Sequence, residues 1–164
     1  MRSGKKSGGC SGFTLVELLV SVGIIVVISA VALTSLFQRR NRSEFENTIQ
    51  QVTSLLREAH SKSVAQTSST IWGVHFENAT TTMPFFALFP TAYSPTGHTG
   101  YYRLPVLVRY ATSSLAEGAS LDVTFAQITG APSTSTSVMF EFVSGNVVIA
   151  TSSVTVGASG LITE

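Results

Sequence analysis

Residues 13–37 read FTLVELLVSVGIIVVISAVALTSLF, twenty-five positions with a single charge, Glu17. As a helix the run rises about 37 Å at about 1.5 Å per residue, enough to cross a hydrocarbon core of about 30 Å with some tilt. Bases flank it: Arg2, Lys5 and Lys6 lie in the Gly-rich MRSGKKSGGCSG of residues 1–12, and Arg39, Arg40 and Arg42 follow. A secretory signal peptide has a shorter apolar region, about 7–15 residues, with a small-residue cleavage site behind it. Ser35-Leu36-Phe37-Gln38-Arg39-Arg40 is a poor exit of that kind, so the segment is expected to stay in the product. Three bases on each side leave the positive-inside count balanced. The short leader, with no translocated domain before the span, favours an N-terminus on the cytoplasmic side.

Glu17 is the anomaly in this run. A carboxylate near the start of an apolar helix costs about 2.5–3.5 kcal/mol on insertion scales, and such residues usually mark function or a partner. Either Glu17 sits at the headgroup level and snorkels, or it awaits a positive charge from a neighbouring subunit.

The segment Lys5-Lys6-Ser7-Gly8-Gly9-Cys10-Ser11-Gly12-Phe13-Thr14-Leu15-Val16-Glu17-Leu18-Leu19 resembles the class III signal of type IV prepilins and type II secretion pseudopilins. It joins a basic leader, a cleavage Gly, an intramembrane acid and a full span. The resemblance implies that a prepilin peptidase cuts between Gly12 and Phe13 and methylates the new Phe13 amine. It implies further that Glu17 pairs with the Phe13 amine of an adjacent subunit during assembly, two buried charges compensating each other where either alone is costly. Cleavage would remove Cys10 and leave residues 13–164, with seven bases against nine acids. Major pilins of this kind commonly carry a Pro where their helix bends; here the corresponding position is Thr34, and no Pro occurs before Pro84. A minor pilin or pseudopilin is the expectation, anchored in a bacterial inner membrane and then exported into an extracytoplasmic filament. Its implied partners are the prepilin peptidase, the inner membrane and other pilin or pseudopilin subunits through the N-terminal helix.

The rest of the chain narrows the class. Its 164 residues carry ten Lys+Arg and nine Asp+Glu, a balance unlike that of a strongly basic nucleic-acid protein, and 44% are hydrophobic, which excludes a disordered chain. Cys10 is the lone cysteine, so no intrachain disulfide can form and no CxxC or Cys/His zinc set exists. Gly9-Cys10 faintly resembles a lipobox, but the apolar stretch follows the cysteine rather than preceding it.

Phe45, Ile49, Val52, Leu56 and Ala59 recur at helical steps and form one apolar stripe. With no helix breaker between, one helix is predicted from about Thr14 to about Ala65. Beyond Gln66 the character turns to β, with strands predicted at 70–77, 83–89, 101–110, 120–126, 137–143 and 146–156. Ser144-Gly145-Asn146 reads as a hairpin turn; Pro90–Gly100 and Gly130–Ser137 read as loops. The predicted fold is therefore α+β, a long N-terminal helix packed on an antiparallel head. Its parts are a leader (1–12), a membrane or filament-core helix (13–37), an amphipathic continuation (38–66) and a β-rich head (67–164). Leu56-Arg57-Glu58-Ala59, Val64-Ala65, Trp72-Gly73-Val74-His75-Phe76 and Gly157–Ile162 are also similar to the minor pseudopilin H and FimT group.

Catalytic patterns are wanting. His60, His75 and His98 show no metal-ligand spacing and read as surface or half-buried residues, and Asp122 is the only aspartate, which excludes an EF-hand loop. No P-loop, dinucleotide fingerprint or GxSxG occurs. No catalytic residue, metal site or cofactor is expected. Nucleic acid is the alternative partner, as for minor pilins of DNA uptake: Arg103 and Arg109, read as six apart on one strand face beside Tyr101 and Tyr102, would contact phosphate and stack bases. Phe85 and Phe89 fall on one strand face and Phe86 on the other. Both faces are read as core, with a docking role for an exposed Phe86 as the other possibility.

Overall fold

The structure is a computed structural model that describes residues 14–145 and 147–164, without the side chains of 31–38. One helix, α1, spans Leu15–Val64. It passes through two compact units, Met1–Arg40 and Asn41–Glu164. From Leu15 to Ile28 the helix presents aliphatic side chains on all sides. In the second unit, the stripe Phe45, Ile49, Val52, Leu56 and Ala59 is buried as its spacing predicts, none of the five more than 5% exposed.

The helix ends where Gln66 takes a left-handed φ of 53°, before a short 3-10 turn at Thr67–Ser69. Ser63 Oγ ties that end to the first strand, accepting the Trp72 amide at 2.8 Å. Among the described residues eight strands follow: β1 Trp72–Glu77, β2 Phe85–Pro90, β3 Gly100–Arg103, β4 Val108–Tyr110, β5 Ser120–Phe125, β6 Thr136–Ser144, β7 Val147–Val156 and β8 Ile162–Thr163. They form two antiparallel four-stranded sheets, ordered β3-β2-β1-β5 and β4-β6-β7-β8.

Residues 101–110 are thus not one strand. Pro105 has no amide to give a ladder, and its carbonyl instead accepts the Val108 amide at 2.9 Å in a turn. The chain leaves the first sheet at Arg103 and enters the second at Val108.

Side chains from α1 and both sheets share one core. Phe45 meets Phe142 of the second sheet with ring centroids 5.9 Å apart, and Phe76 of the first meets Tyr110 of the second at 6.4 Å. The Tyr110 hydroxyl also crosses between sheets, donating to the Phe85 carbonyl at 2.7 Å. At the far end of the helix His60 lies edge-on to Phe125 and under Gly130 and Gly160. A Cβ on Gly130 would lie 2.2 Å from His60 Nε2, and one on Gly160 would lie 2.5 Å from the Gly130 carbonyl oxygen, so this close packing requires glycine at both positions.

Candidate functional site

The apolar helix starts with a built cap. Thr14 Oγ1 accepts the Glu17 amide at 3.2 Å, and the Thr14 carbonyl accepts the Leu18 amide at 3.2 Å. This is the Thr half of a capping box with Glu in the matching position, and an acid in the first turn also suits the helix dipole. The Glu17 bond uses its backbone only; among the described residues its carboxylate has no hydrogen-bond or ionic partner. Ser21 and Ser29 donate to the carbonyls of Glu17 and Ile25, each at 2.7 Å, so their hydroxyls are satisfied within the helix.

Around Glu17 the large aliphatic side chains from Leu15 to Ile28 are between 51% and 79% exposed. Leu15, Leu18, Leu19, Val22 and Gly23 line a shallow apolar concavity. A helix apolar on every side is stable only where something apolar surrounds it. Among the described residues, no helix is long and apolar enough to cross a membrane. Side chains 31–38 of the predicted span fall outside that description, as do Gly12 and Phe13, the expected cleavage and methylation positions.

The head carries a second polar constellation that sequence spacing did not reveal. On the face of the first sheet away from α1, the His75 ring is buried, with Nδ1 against Asp122 Oδ1 and Nε2 3.2 Å from Glu77 Oε2. Strand register builds this group: His75 stands directly opposite Asp122, and Glu77 follows two residues on, on the same face. Tyr93, from the loop after β2, stacks flat on the His75 ring at 3.5 Å, while Phe85 packs on Tyr101 at 4.7 Å. Burial, followed by the nearby Glu77, Tyr101 and Asp122, raises the Tyr93 pKa above the usual tyrosine value. The Tyr93 roof and the neighbouring aromatic rings make the cluster a lock holding loop to sheet. Among the described residues no group of three or more His, Cys, Asp or Glu side chains is arranged to hold a metal ion.

Several sequence expectations change here. His75 is buried rather than superficial. Phe86 is fully buried, and Phe85 and Phe89 on the other face are buried too, so core packing on both faces is what the structure has, and an exposed Phe86 is not available for docking. Arg103 and Arg109 do not share a strand face: Arg103 ends β3 in the first sheet, its guanidinium over the Tyr101 ring at 5.8 Å, and Arg109 lies on β4 in the second. Arg109 is paired across strands with Glu141 at 2.8 Å. Tyr102 stacks on buried Phe86 at 5.5 Å. The cation pair that motivated a phosphate-binding reading is therefore split between two sheets.

A long N-terminal helix packed on antiparallel sheets defines a pilin-like α+β fold. Residues 8–33 match the prokaryotic N-terminal methylation motif, a stretch that includes Gly12, Phe13 and Glu17. No curated protein and no solved structure matches the chain. The motif indicates a type IV pilin-like subunit, processed by prepilin peptidase and assembled with other pilins.

Proposed function

We infer that the chain is a minor pilin or pseudopilin, a structural subunit of a type IV pilus or type II secretion-like filament. The observation that carries this is an unpartnered carboxylate, Glu17, in the first turn of a helix whose aliphatic side chains from Leu15 to Ile28 are exposed on every side. Before assembly the inner membrane surrounds that surface. After assembly, the helices of neighbouring subunits do so, and the burial of apolar area drives the exchange of one environment for the other. Glu17 accepts the methylated Phe13 amine of the next subunit, which sets the register. Glu17 adds no cost to the isolated helix cap, because the Thr14 bond uses its amide rather than its side chain. The absence of a Pro before Pro84 supports a minor rather than a fibre-forming role, and the head serves as packing and contact surface rather than as a catalytic centre.

Two measurements test this. Made together with a prepilin peptidase, the chain is expected to yield an intact mass and N-terminal sequence starting at methylated Phe13; a product still carrying Met1 to Gly12 contradicts processing. Glu17→Gln keeps the shape and removes the charge. It should leave processing and membrane retention intact but reduce incorporation into filaments about a hundredfold, the effect of leaving a buried amine unpaired. Unchanged incorporation would refute the charge-pairing mechanism.

A further inference from the structure

Outside these sites, exposed apolar side chains of the head gather at the tip of the β6–β7 hairpin. Ser144 pairs with Val147 around Gly145, whose φ of 62° suits a tight hairpin turn. Beyond it Val147, Val148 and Ile149 are 66%, 40% and 58% exposed. Val147 and Val148 pair with successive residues of β6 and so point to opposite faces, while a register shift at Phe142/Val143 leaves Ile149 with no cross-strand partner. Val106 joins them: the Val143 amide donates to the Leu107 carbonyl at 2.8 Å, bringing the neighbouring Val106, 79% exposed, to the same end of β6.

Position and chemistry identify the occupant. Within Asn41–Glu164, Phe142 packs on Phe45 near the Asn41 end of the helix, and Gly160 packs on His60 near the other end. The strand β7 therefore runs from the Asn41 end toward the C-terminal end of α1. Its exposed start lies at the Asn41 end of this unit, and in the sequence the apolar stretch 13–37 comes shortly before Asn41. Residues 142–163 contain no Asp, Glu, Lys or Arg, so nothing charged must be desolvated with the tip. A flat protein partner would cover one face of the strand and leave the other wet, whereas the headgroup–acyl boundary of a bilayer accepts apolar side chains on both.

We propose that the hairpin tip, Val147 to Ile149 with Val106, is a membrane-interface contact that seats the head on the phospholipid surface before assembly. The inference rests on the anchored-subunit reading above. It is tested with the full chain carrying Cys10→Ser and one labelled cysteine, at Ile149→Cys or Val147→Cys. Leu161→Cys, an exposed position in the turn at the opposite end of β7, is the control. An environment-sensitive fluorophore at each site is read in phosphatidylcholine–phosphatidylglycerol vesicles containing lipid spin-labelled near the headgroup. Quenching is expected to be several-fold stronger at 149 and 147 than at 161. A chain that fails to float with the vesicles contradicts the anchored subunit itself. A floating chain quenched equally at all three sites overturns the tip contact alone. So does a blue-shifted but unquenched probe at 149, which would mean that a second copy of the chain covers the tip.

Discussion

Two stretches of the same helix both carry large apolar side chains and meet opposite fates. Between Leu15 and Ile28 every large aliphatic side chain is more than half exposed, whereas Phe45, Ile49, Val52, Leu56 and Ala59 are almost wholly buried. What separates them is density and arrangement: eleven of the fourteen residues 15–28 are large aliphatics, against six apolar residues in the fifteen of 45–59. The second stretch confines its apolar residues to a stripe, with Glu44, Glu46, Gln50, Gln51, Arg57 and Glu58 largely off it, and two sheets cover the stripe. The first has aliphatic residues all round and one acid. A stripe specifies a fold within the chain; an all-round apolar surface specifies an environment outside it.

The sharpest way to break this comparison is to truncate one leucine from each stretch. Leu56→Ala should destabilise the head by about 2–5 kcal/mol, the usual cost of an unfilled core position, read as a fall in its denaturation midpoint. Leu19→Ala should leave that midpoint within about 0.5 kcal/mol, as substitutions away from a core do. Its effect should fall on filament incorporation. Equal losses of head stability would show that the first stretch has an intramolecular partner.

How far the sequence disclosed this follows from range. The helix, its stripe and its ends came from local periodicity, and the predicted span 14–65 differs from Leu15–Val64 by a residue at each end. The hairpin at Gly145 was legible from its turn residues. The division into two sheets was not: Pro105 interrupts a run of β-formers from Tyr101 to Tyr110, and run composition outweighed its missing amide. The His75 lock joins residues 47 positions apart, and only the β1–β5 register makes them neighbours.

The contact between sheets gives an effect of middle size. Burial, with Glu77 a lesser cause, holds the Tyr110 pKa well above the ordinary value of 10.0. The folded state therefore keeps this proton at a pH where the unfolded chain has lost it. The stabilisation is complete below about pH 10 and is lost as pH rises from there toward the folded value. Tyr110→Phe should cost about 1–2 kcal/mol at neutral pH, because the buried Phe85 carbonyl loses its donor. It should also flatten the alkaline fall, measured as chemical-denaturation midpoints between about pH 9 and 12. An unchanged alkaline slope would mean that Tyr110 is not the group responsible. The first stretch has no tyrosine, so the effect should appear in head unfolding and leave membrane retention unaltered.

The smallest expected effect separates two isoleucines that look alike by exposure. Ile25 is 62% exposed and Ile128 is 68%. Ile25 belongs to a helix that needs apolar surroundings. Ile128 sits at φ 68° in the loop after β5, with the Thr129 amide bonded to the Gln127 carbonyl at 2.7 Å across it, the strained form of a γ-turn. A β-branched residue is poorly suited to that region, while Asn tolerates it. Ile128→Asn should therefore raise head stability by about 1 kcal/mol, with filament incorporation unchanged. Ile25→Asn should do the reverse, sparing the head and weakening retention in the membrane, because an amide in hydrocarbon lacks its water partners. If Ile128→Asn instead lowers incorporation with no gain in stability, its strained backbone is holding an apolar contact for another subunit, and exposure in the head would then carry the same meaning as exposure in the helix.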